Sequence, residues 1–186
     1  MRRAAIAAAL TIAVVAVLVG GALALGGYRV HGPSMEPALT DGAVVLANPA
    51  DHSPARFDEV VYLPAEGGAA VKRVIGLPGD RVRIVPAGPA GPEVQVQVSG
   101  TGPWLRATAA GTLPWTGAEA CCGADGRSSA VPADAVVPAG SYFLLGDNRA
   151  VSIDSRRQGF VAAKRLRGTV LFGSGATAPE FRLTAP

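Results

Sequence analysis

The chain opens with an apolar segment long enough to cross a membrane as a helix. Residues Ala4–Gly27 are 24 consecutive positions without a charge, and Thr11 is the only polar side chain among them. A bilayer core of about 30 Å needs about 20 apolar residues in a helix. Arg2 and Arg3 precede the segment, which predicts a cytoplasmic N-terminus and an exported remainder. We therefore expect a cytoplasmic stretch at residues 1–3 and a single-pass plasma-membrane anchor at residues 4–27.

A cleaved signal peptide is the alternative interpretation of this segment. Ala22-Leu23-Ala24 has the small-x-small form of a cleavage site, so cleavage after Ala24 stays open. A cleavable signal has an apolar core of about 7–15 residues, shorter than the one here, and this favours the uncleaved anchor.

The apolar segment also explains an unusual composition. The chain is 49% hydrophobic and only 17% charged, whereas soluble domains carry about 25% charged residues. Without residues 4–27 the composition approaches that of an ordinary soluble domain.

The net charge of +3 and the 5% aromatic content, with no helix-turn-helix pattern, give no support for nucleic-acid binding.

The exported part is predicted to be mostly β, as an antiparallel sheet. Short β-like runs dominate and no convincing helix follows the anchor. Two of the runs flank Glu66-Gly67-Gly68 and predict a hairpin, and Leu77-Pro78-Gly79-Asp80 has the type II turn pattern. The predicted strands lie at residues 44–46, 59–63, 70–75, 81–85, 94–98, 141–145 and 168–172.

The amino-acid composition changes between residues 86 and 138, where Pro, Gly, Ala and Thr become more frequent. This predicts a small inserted cap that divides the β core into residues 28–85 and 139–172. Residues 173–186 are expected to form a loose tail. The insertion contains four large apolar side chains, which either pack its own small core or form an exposed rim that rests on membrane lipid: Trp104, Leu105, Leu113 and Trp115.

The two cysteines, Cys121 and Cys122, are adjacent. Neighbouring Cα atoms are closer than a disulfide usually requires, so a vicinal disulfide, free thiols and intermolecular pairing all stay open. No Cys/His spacing typical of a zinc site is present.

Ser34 and Lys72 are the candidate catalytic pair. A nucleophilic serine needs a base, and the only histidines are His31 and His52. A Ser-His-Asp site would require His31 to fold back onto Ser34, which we do not favour. Lys72 lies in an apolar strand-like run, and burial without a carboxylate partner would lower its pKa and make it a general base. The alternative, which the periodicity alone favours, is a strand lysine whose ammonium group lies in water.

Three motifs in order, after an anchor, resemble the bacterial type I signal peptidase family. Ser34-Met35-Glu36-Pro37 matches the family's nucleophile motif. The run from Lys72 to Asp80 matches its Lys-Arg-Val-x-Gly-x-Pro-Gly-Asp motif without a gap. The run from Gly146 to Arg156 matches its Gly-Asp-Asn-Arg-x-x-Ser-x-Asp-Ser-Arg motif.

The resemblance implies a Ser/Lys dyad serine endopeptidase that removes signal peptides from exported preproteins, with no metal or cofactor. Ser34 would be the nucleophile, and Lys72 the general base. Ser152 would hydrogen-bond and orient the lysine, and Asp154 and Arg156 would form a supporting ion pair. Asp147, Asn148 and Arg149 would shape the adjoining turn.

One departure from the family concerns the oxyanion hole. Some members carry a serine two positions before the nucleophile, and its hydroxyl stabilises the oxyanion. This chain has Gly32 there, so only the backbone N–H of Ser34 is expected as a donor and the second donor is unidentified. Such a donor is worth about 10²–10³ in rate.

Other functions remain to be distinguished. The chain could be a maturation protease of the same family with a single substrate, or an inactive membrane-anchored β module that binds peptides. Repressor-type Ser/Lys proteins carry a helix-turn-helix where this chain has its apolar segment. A β-lactamase-like Ser-x-x-Lys is excluded because Pro37 occupies the lysine position.

Overall fold

A computed structural model of the chain describes residues 10–11, 26–86, 91–109, 115, 120–131, 133–174 and 179–186. Within them the structure is mostly β, as predicted, with two antiparallel sheets. The strands are β1 (Gly26–Arg29), β2 (Val44–Asn48), β3 (Glu59–Tyr62), β4 (Ala70–Gly76), β5 (Arg81–Val85), β6 (Glu93–Gln97), β7 (Leu105–Ala109), β8 (Ala120–Cys121), β9 (Ser128–Ser129), β10 (Ala135–Val136), β11 (Ser141–Leu145), β12 (Val161–Ala162), β13 (Leu166–Gly173) and β14 (Phe181–Thr184).

The first sheet has the strand order β1-β2-β13-β3-β4-β11-β12. Its centre contains the predicted hairpin, in which β3 and β4 pair so that Glu59 lies opposite Arg73 and Val60 opposite Lys72. β11 pairs with the other edge of β4. The two strands that flank β4 therefore lie beside Lys72 and Arg73.

The second sheet has the order β14-β7-β6-β5-β8-β9, with β10 also pairing with β5. It begins at the predicted turn after β4, where the Asp80 N–H donates to the Leu77 carbonyl at 3.0 Å and Gly79 has a φ of +87°, as a type II turn requires. β5 alternates buried and partly exposed side chains, as its sequence predicts. The described strands of the segment 86–138 therefore join β5 and β14 in the second sheet.

An apolar core lies where side chains of the two sheets meet. Ile75 and Phe143 come from the first sheet, and Val82, Ile84 and Val96 come from the second. Trp115 packs against this core, which favours the packing interpretation for that tryptophan, whereas Leu113 lies outside the described residues. The contact fixes the second sheet against β4 and β11, the strands that lead to the candidate site.

The structure differs from the sequence predictions in its helices and its tail. A four-residue helix, α1 (Ser155–Gln158), follows Asp154, whose side chain caps it. Within the described residues, 3-10 turns occur at Val98–Gly100 and Ala163–Arg165. Residues 181–184, expected in a loose tail, form β14 against β7, because Phe181 and Leu183 alternate with polar residues as a half-buried strand does.

The end of the predicted anchor also differs between the sequence prediction and the structure. Gly26 and Gly27 belong to β1, which pairs with residues 44–47 of β2; the predicted helix therefore cannot extend to residue 27. The remainder of the predicted anchor, apart from residues 10–11, lies outside the described residues. In the part of the chain that the structure describes, no helix is long and apolar enough to cross a membrane.

Cys121 and Cys122 form a vicinal disulfide, the first of the three alternatives left open by the sequence. Both cysteines are fully buried in the core between the sheets. The disulfide is therefore part of the apolar packing rather than of the molecular surface.

A substitution at Gly168 tests how closely β13 approaches the loop after β2. A Cβ at this position would lie 2.2 Å from the Asn48 carbonyl oxygen, and the φ of +138° disfavours a side chain. We expect Gly168→Ala to lower the free energy of unfolding by about 2–4 kcal/mol, measured by urea unfolding in detergent.

Gly67→Ala is the matched control, because Gly67 also has a positive φ, of +87°, but no atom lies within 4 Å of its Cβ position. It should cost only the backbone strain, about 1–2 kcal/mol. An equal loss in the two variants would contradict the close packing of β13.

Candidate active site

Ser34 lies in the loop between β1 and β2. The next residue, Met35, is fully buried among apolar side chains, and its carbonyl accepts the Leu39 N–H at 2.9 Å. Before the serine, the Gly32 N–H donates to the Asp41 carboxylate at 2.8 Å. Ser34 is therefore held between a buried side chain and a hydrogen-bonded turn.

Lys72 projects from β4 to this serine. Its Nζ donates to the Ser34 Oγ at 2.8 Å and to the Val71 carbonyl at 2.9 Å, and the residue is only 4% exposed. The structure therefore brings together the two residues that the sequence predicted as a pair. His31, the alternative base, is exposed.

Burial lowers the pKa of Lys72 to about 8, because removing the ammonium from water disfavours its charge. The Asp154 and Asp147 carboxylates oppose this effect, and the Arg156 guanidinium assists it. No carboxylate forms a salt bridge with Lys72 among the described residues. The lysine therefore loses water without gaining the direct ion pair that would keep it protonated.

Asp147 is held by the residue that follows the lysine. The Arg73 Nε and Nη2 donate to the two Asp147 oxygens at 2.8 and 2.5 Å, and Nη2 also donates to Glu59 at 2.7 Å. The Asn148 N–H, next to this pair, donates to the Ser34 carbonyl at 3.1 Å. The loop after β11 is therefore attached both to β4 and to the serine.

Asp154 and Arg156 form the second ion pair. The Arg156 Nε and Nη2 donate to Asp154 at 2.8 and 2.9 Å, and the Gly146 N–H donates to the same carboxylate at 3.0 Å. Burial alone would raise the pKa of Asp154, but the hydrogen bonds and charge of Arg156 outweigh it and lower that pKa. The Trp115 ring lies 5.0 Å from the guanidinium.

Ser152 differs from its expected role. Its Oγ is buried and has no hydrogen-bond partner among the described residues, so the expected bond to Lys72 is not formed. The hydroxyl nevertheless lies close to the site, because a Cβ on Gly146 would be 2.2 Å from the Ser152 Oγ and 2.5 Å from the Ser34 carbonyl oxygen. Only glycine fits at position 146.

Neither Arg149 nor Gly32 forms a hydrogen bond with the Ser34 hydroxyl, whose described partner is the Lys72 amine. Burial lowers the pKa of Arg149 to about 10, and its Nη1 has no partner within the described part of the chain. The Gly32 N–H donates to the Asp41 carboxylate.

A small pocket opens beside Ser34 and Lys72. Its volume is about 70 Å³, and it is lined by residues 28–31, Ser34, Val61 and residues 69–72. No group of three or more metal-binding side chains is found in the described ranges. The arrangement can perform nucleophilic attack on a carbonyl compound with a small side chain next to the reacting carbon.

Sequence reasoning missed two residues that support the site, Glu59 and Asp41. Glu59 could have been found from the hairpin, because the register places it directly opposite Arg73, and opposite charges in facing positions attract. Asp41 carries no such signal, since its contact with Gly32 depends on the shape of the intervening loop.

Comparison with known proteins identifies the family of the chain. The family model described as signal peptidase, peptidase S26, matches residues 3–173. The chain is similar to signal peptidase I V of Bacillus subtilis (strain 168), with 30% identity over 146 residues, 77% of this chain and 82% of that protein. Signal peptidase I of Bacillus caldolyticus is 33% identical over 154 residues, 78% of this chain and 76% of that one.

A crystal structure of a signal peptidase I from Enterococcus faecalis aligns with a TM-score of 0.43 and 27% identity, covering 62% of this chain and 95% of its own. Because the family model spans most of the sequence and the curated relatives cover about three quarters of it, the chain belongs to the peptidase S26 family of type I signal peptidases, which are serine endopeptidases.

Proposed function

We propose that this protein cleaves N-terminal signal peptides from exported preproteins, with Ser34 as the nucleophile and neutral Lys72 as the general base. The observation that carries the proposal is the 2.8 Å contact between the Lys72 Nζ and the Ser34 Oγ, made by a lysine whose burial lowers its pKa to about 8. Such a lysine is neutral in about one molecule in ten at pH 7, against about one in 3,000 for a solvated lysine.

The proposed reaction proceeds through an acyl-enzyme. Neutral Lys72 accepts the Ser34 proton as the oxygen attacks the scissile carbonyl carbon, and the resulting ammonium donates a proton to the leaving amine. Lys72, neutral again, then takes a proton from the hydrolytic water, which attacks the ester. Proton return to Ser34 releases the cleaved signal peptide and restores the starting state.

The two supporting ion pairs determine the position of the loop beside Lys72 and the electrostatic potential at its amine. Asp147 and Asp154 face the lysine from the loop after β11, but each is paired with an arginine. The arginines reduce the ability of these carboxylates to hold the lysine in its charged form. Ser152 lies in the same loop, and a hydrogen bond to Lys72 from its hydroxyl, which is unpaired within the described residues, would orient the amine for proton transfer.

We place the apolar segment from Ala4 up to the start of β1 in the plasma membrane as a single anchor, with the N-terminus in the cytoplasm. Ser34 follows β1 closely, so the anchor keeps the nucleophile near the outer surface, where the signal peptide of an exported protein ends. Residues 28–85 and 139–172 form the catalytic part, and the segment 86–138 covers it through Trp115.

Removal of either reacting group should abolish cleavage. Ser34→Ala lacks the nucleophile and Lys72→Ala lacks the base, so we expect each to lose at least about 10³ in kcat on a preprotein substrate in detergent. Lys164→Ala is the matched control, because Lys164 is the only other lysine and is exposed. Full cleavage by either active-site variant would exclude the Ser/Lys mechanism. Failure of the original chain to cleave would instead leave the inactive binding module as the alternative.

The rate should depend on pH through the lysine. Only the neutral amine accepts the serine proton, so kcat/KM should increase as the pH rises and level off above the Lys72 pKa of about 8. The measurement is a pH profile of kcat/KM between about pH 6 and pH 10. A profile that is flat below pH 8, or that falls as the pH rises from 6 to 8, would contradict the role of Lys72.

The pocket should select small side chains before the cleaved bond. A volume of about 70 Å³ accommodates the methyl group of alanine but not a large ring. Replacing the alanine that precedes the cut by phenylalanine should reduce kcat/KM by at least about 10², since the peptide carbonyl could not reach Ser34. The same replacement two residues after the cut serves as the control, and equal losses at both positions would reject selection by this pocket.

A further inference from the structure

The C-terminal strand β14 lies beyond the residues that the family model matches. It pairs with β7 at the edge of the second sheet, where Phe181 lies opposite Ala109 and Thr184 opposite Arg106. The strand is therefore ordered by backbone pairing, and its position relative to the rest of the second sheet is fixed.

Phe181 extends from this strand to the first sheet. Its ring stacks on Phe57, with centroids 5.5 Å apart, and lies 4.4 Å from the Arg73 guanidinium carbon. The Phe57 carbonyl accepts from the Arg73 Nη1 at 2.8 Å. Phe181 thus covers a unit formed by Phe57 and the arginine next to Lys72.

Arg73 connects this unit to the nucleophile. Its bidentate bond fixes Asp147, and the neighbouring Asn148 N–H donates to the Ser34 carbonyl. The path from Phe181 to Ser34 consists of direct contacts: the ring on the guanidinium, the guanidinium on the carboxylate, and the next backbone N–H on the serine.

We propose that Phe181 is a positioning residue of the Ser34 site, which it supports by holding Arg73 against Asp147. The proposal rests on the proposed Ser34/Lys72 peptidase and assigns the C-terminal strand a role in it. Phe181 does not touch the reacting groups; it acts through the arginine.

The physical reason is the environment of the guanidinium. An aromatic ring attracts the cation and excludes water from it, and an ion pair is stronger where water is excluded. Without the ring, water would reach Arg73, and its bond to Asp147 would weaken. Asn148 would then hold the Ser34 backbone less firmly, and the serine would spend less time in line with Lys72.

The same loss would change the charge that Lys72 experiences. The charged groups that act on Lys72 are the carboxylates of Asp154 and Asp147 and the guanidinium of Arg156. An Asp147 that is less neutralised by Arg73 would favour the ammonium form of Lys72. The rise of kcat/KM with pH should therefore move to higher pH.

The experiment compares the full chain in detergent with Phe181→Ala and Phe181→Leu, which remove the ring, and with Phe181→Tyr, which keeps it. Arg182→Ala is the matched control, because Arg182 lies on the same strand with an exposed side chain. The measurements are kcat, KM and the pH profile on a preprotein, together with hydrogen exchange of residues 145–154.

We expect Phe181→Ala and Phe181→Leu to reduce kcat by about tenfold with KM changed less than twofold, and to move the pH profile to higher pH. Exchange at Asn148 should become faster while the exchange of β3 and β13 stays unchanged. Phe181→Tyr and Arg182→Ala should match the original chain. If Phe181→Ala does not fold, Phe181→Leu, which keeps the apolar volume, decides the matter.

A kcat and pH profile unchanged by loss of the ring would overturn the proposal. So would a loss of rate that is equal at every pH and accompanied by faster exchange throughout both sheets, because that pattern reports instability alone. Failure of the original chain to cleave would reject the proposed function instead. The exchange at Asn148 would still decide whether Phe181 holds this loop.

Discussion

The burial of Lys72 against Ser34 is the constraint on which the rest of the site depends. A lysine that is removed from water resists protonation, but a nearby unpaired carboxylate would restore its charge. Asp147 and Asp154 both lie close enough to influence it. Two arginines reduce the effect of these acids on Lys72, because Arg73 and Arg156 each form an ion pair with one of the carboxylates. The ion pairs thus permit a buried, partly neutral lysine beside two acids.

This requirement explains why elements distant in sequence converge. β4 carries both Lys72 and Arg73, so one strand supplies the base and the partner of the first acid. The loop after β11 supplies both acids, and its backbone also bonds to Ser34. The aromatic rings of Trp115 and Phe181 lie against the two arginines. Each of these rings comes from the second sheet or the segments that connect its strands.

The sequence predicted the features that depend on local pattern or on a motif. Alternation in β5, the hairpin of β3 and β4, and the turn at Pro78-Gly79 are local, and the structure contains all three. The pairing of Ser34 with Lys72 followed from the motifs. The Phe181 contact and β14 were missed because an alternation over only four residues is too short to predict a strand, and the strand is stabilised by a partner about seventy residues earlier in the chain. The Ser152 hydroxyl lacks a partner among the described residues because of the backbone and side-chain torsion angles of its loop, and no sequence pattern predicts these angles.

The close approach at Gly146 shows how narrow the tolerance of this arrangement is. The backbone at this glycine lies against both the Ser34 carbonyl and the Ser152 hydroxyl, while its N–H bonds to Asp154. A displacement of the loop away from Ser34 would break the Asn148 bond, and a displacement towards it would produce a steric clash. The loop therefore has one position in which both ion pairs and the serine contact form together. The residues that hold the arginines from outside determine how often it occupies that position.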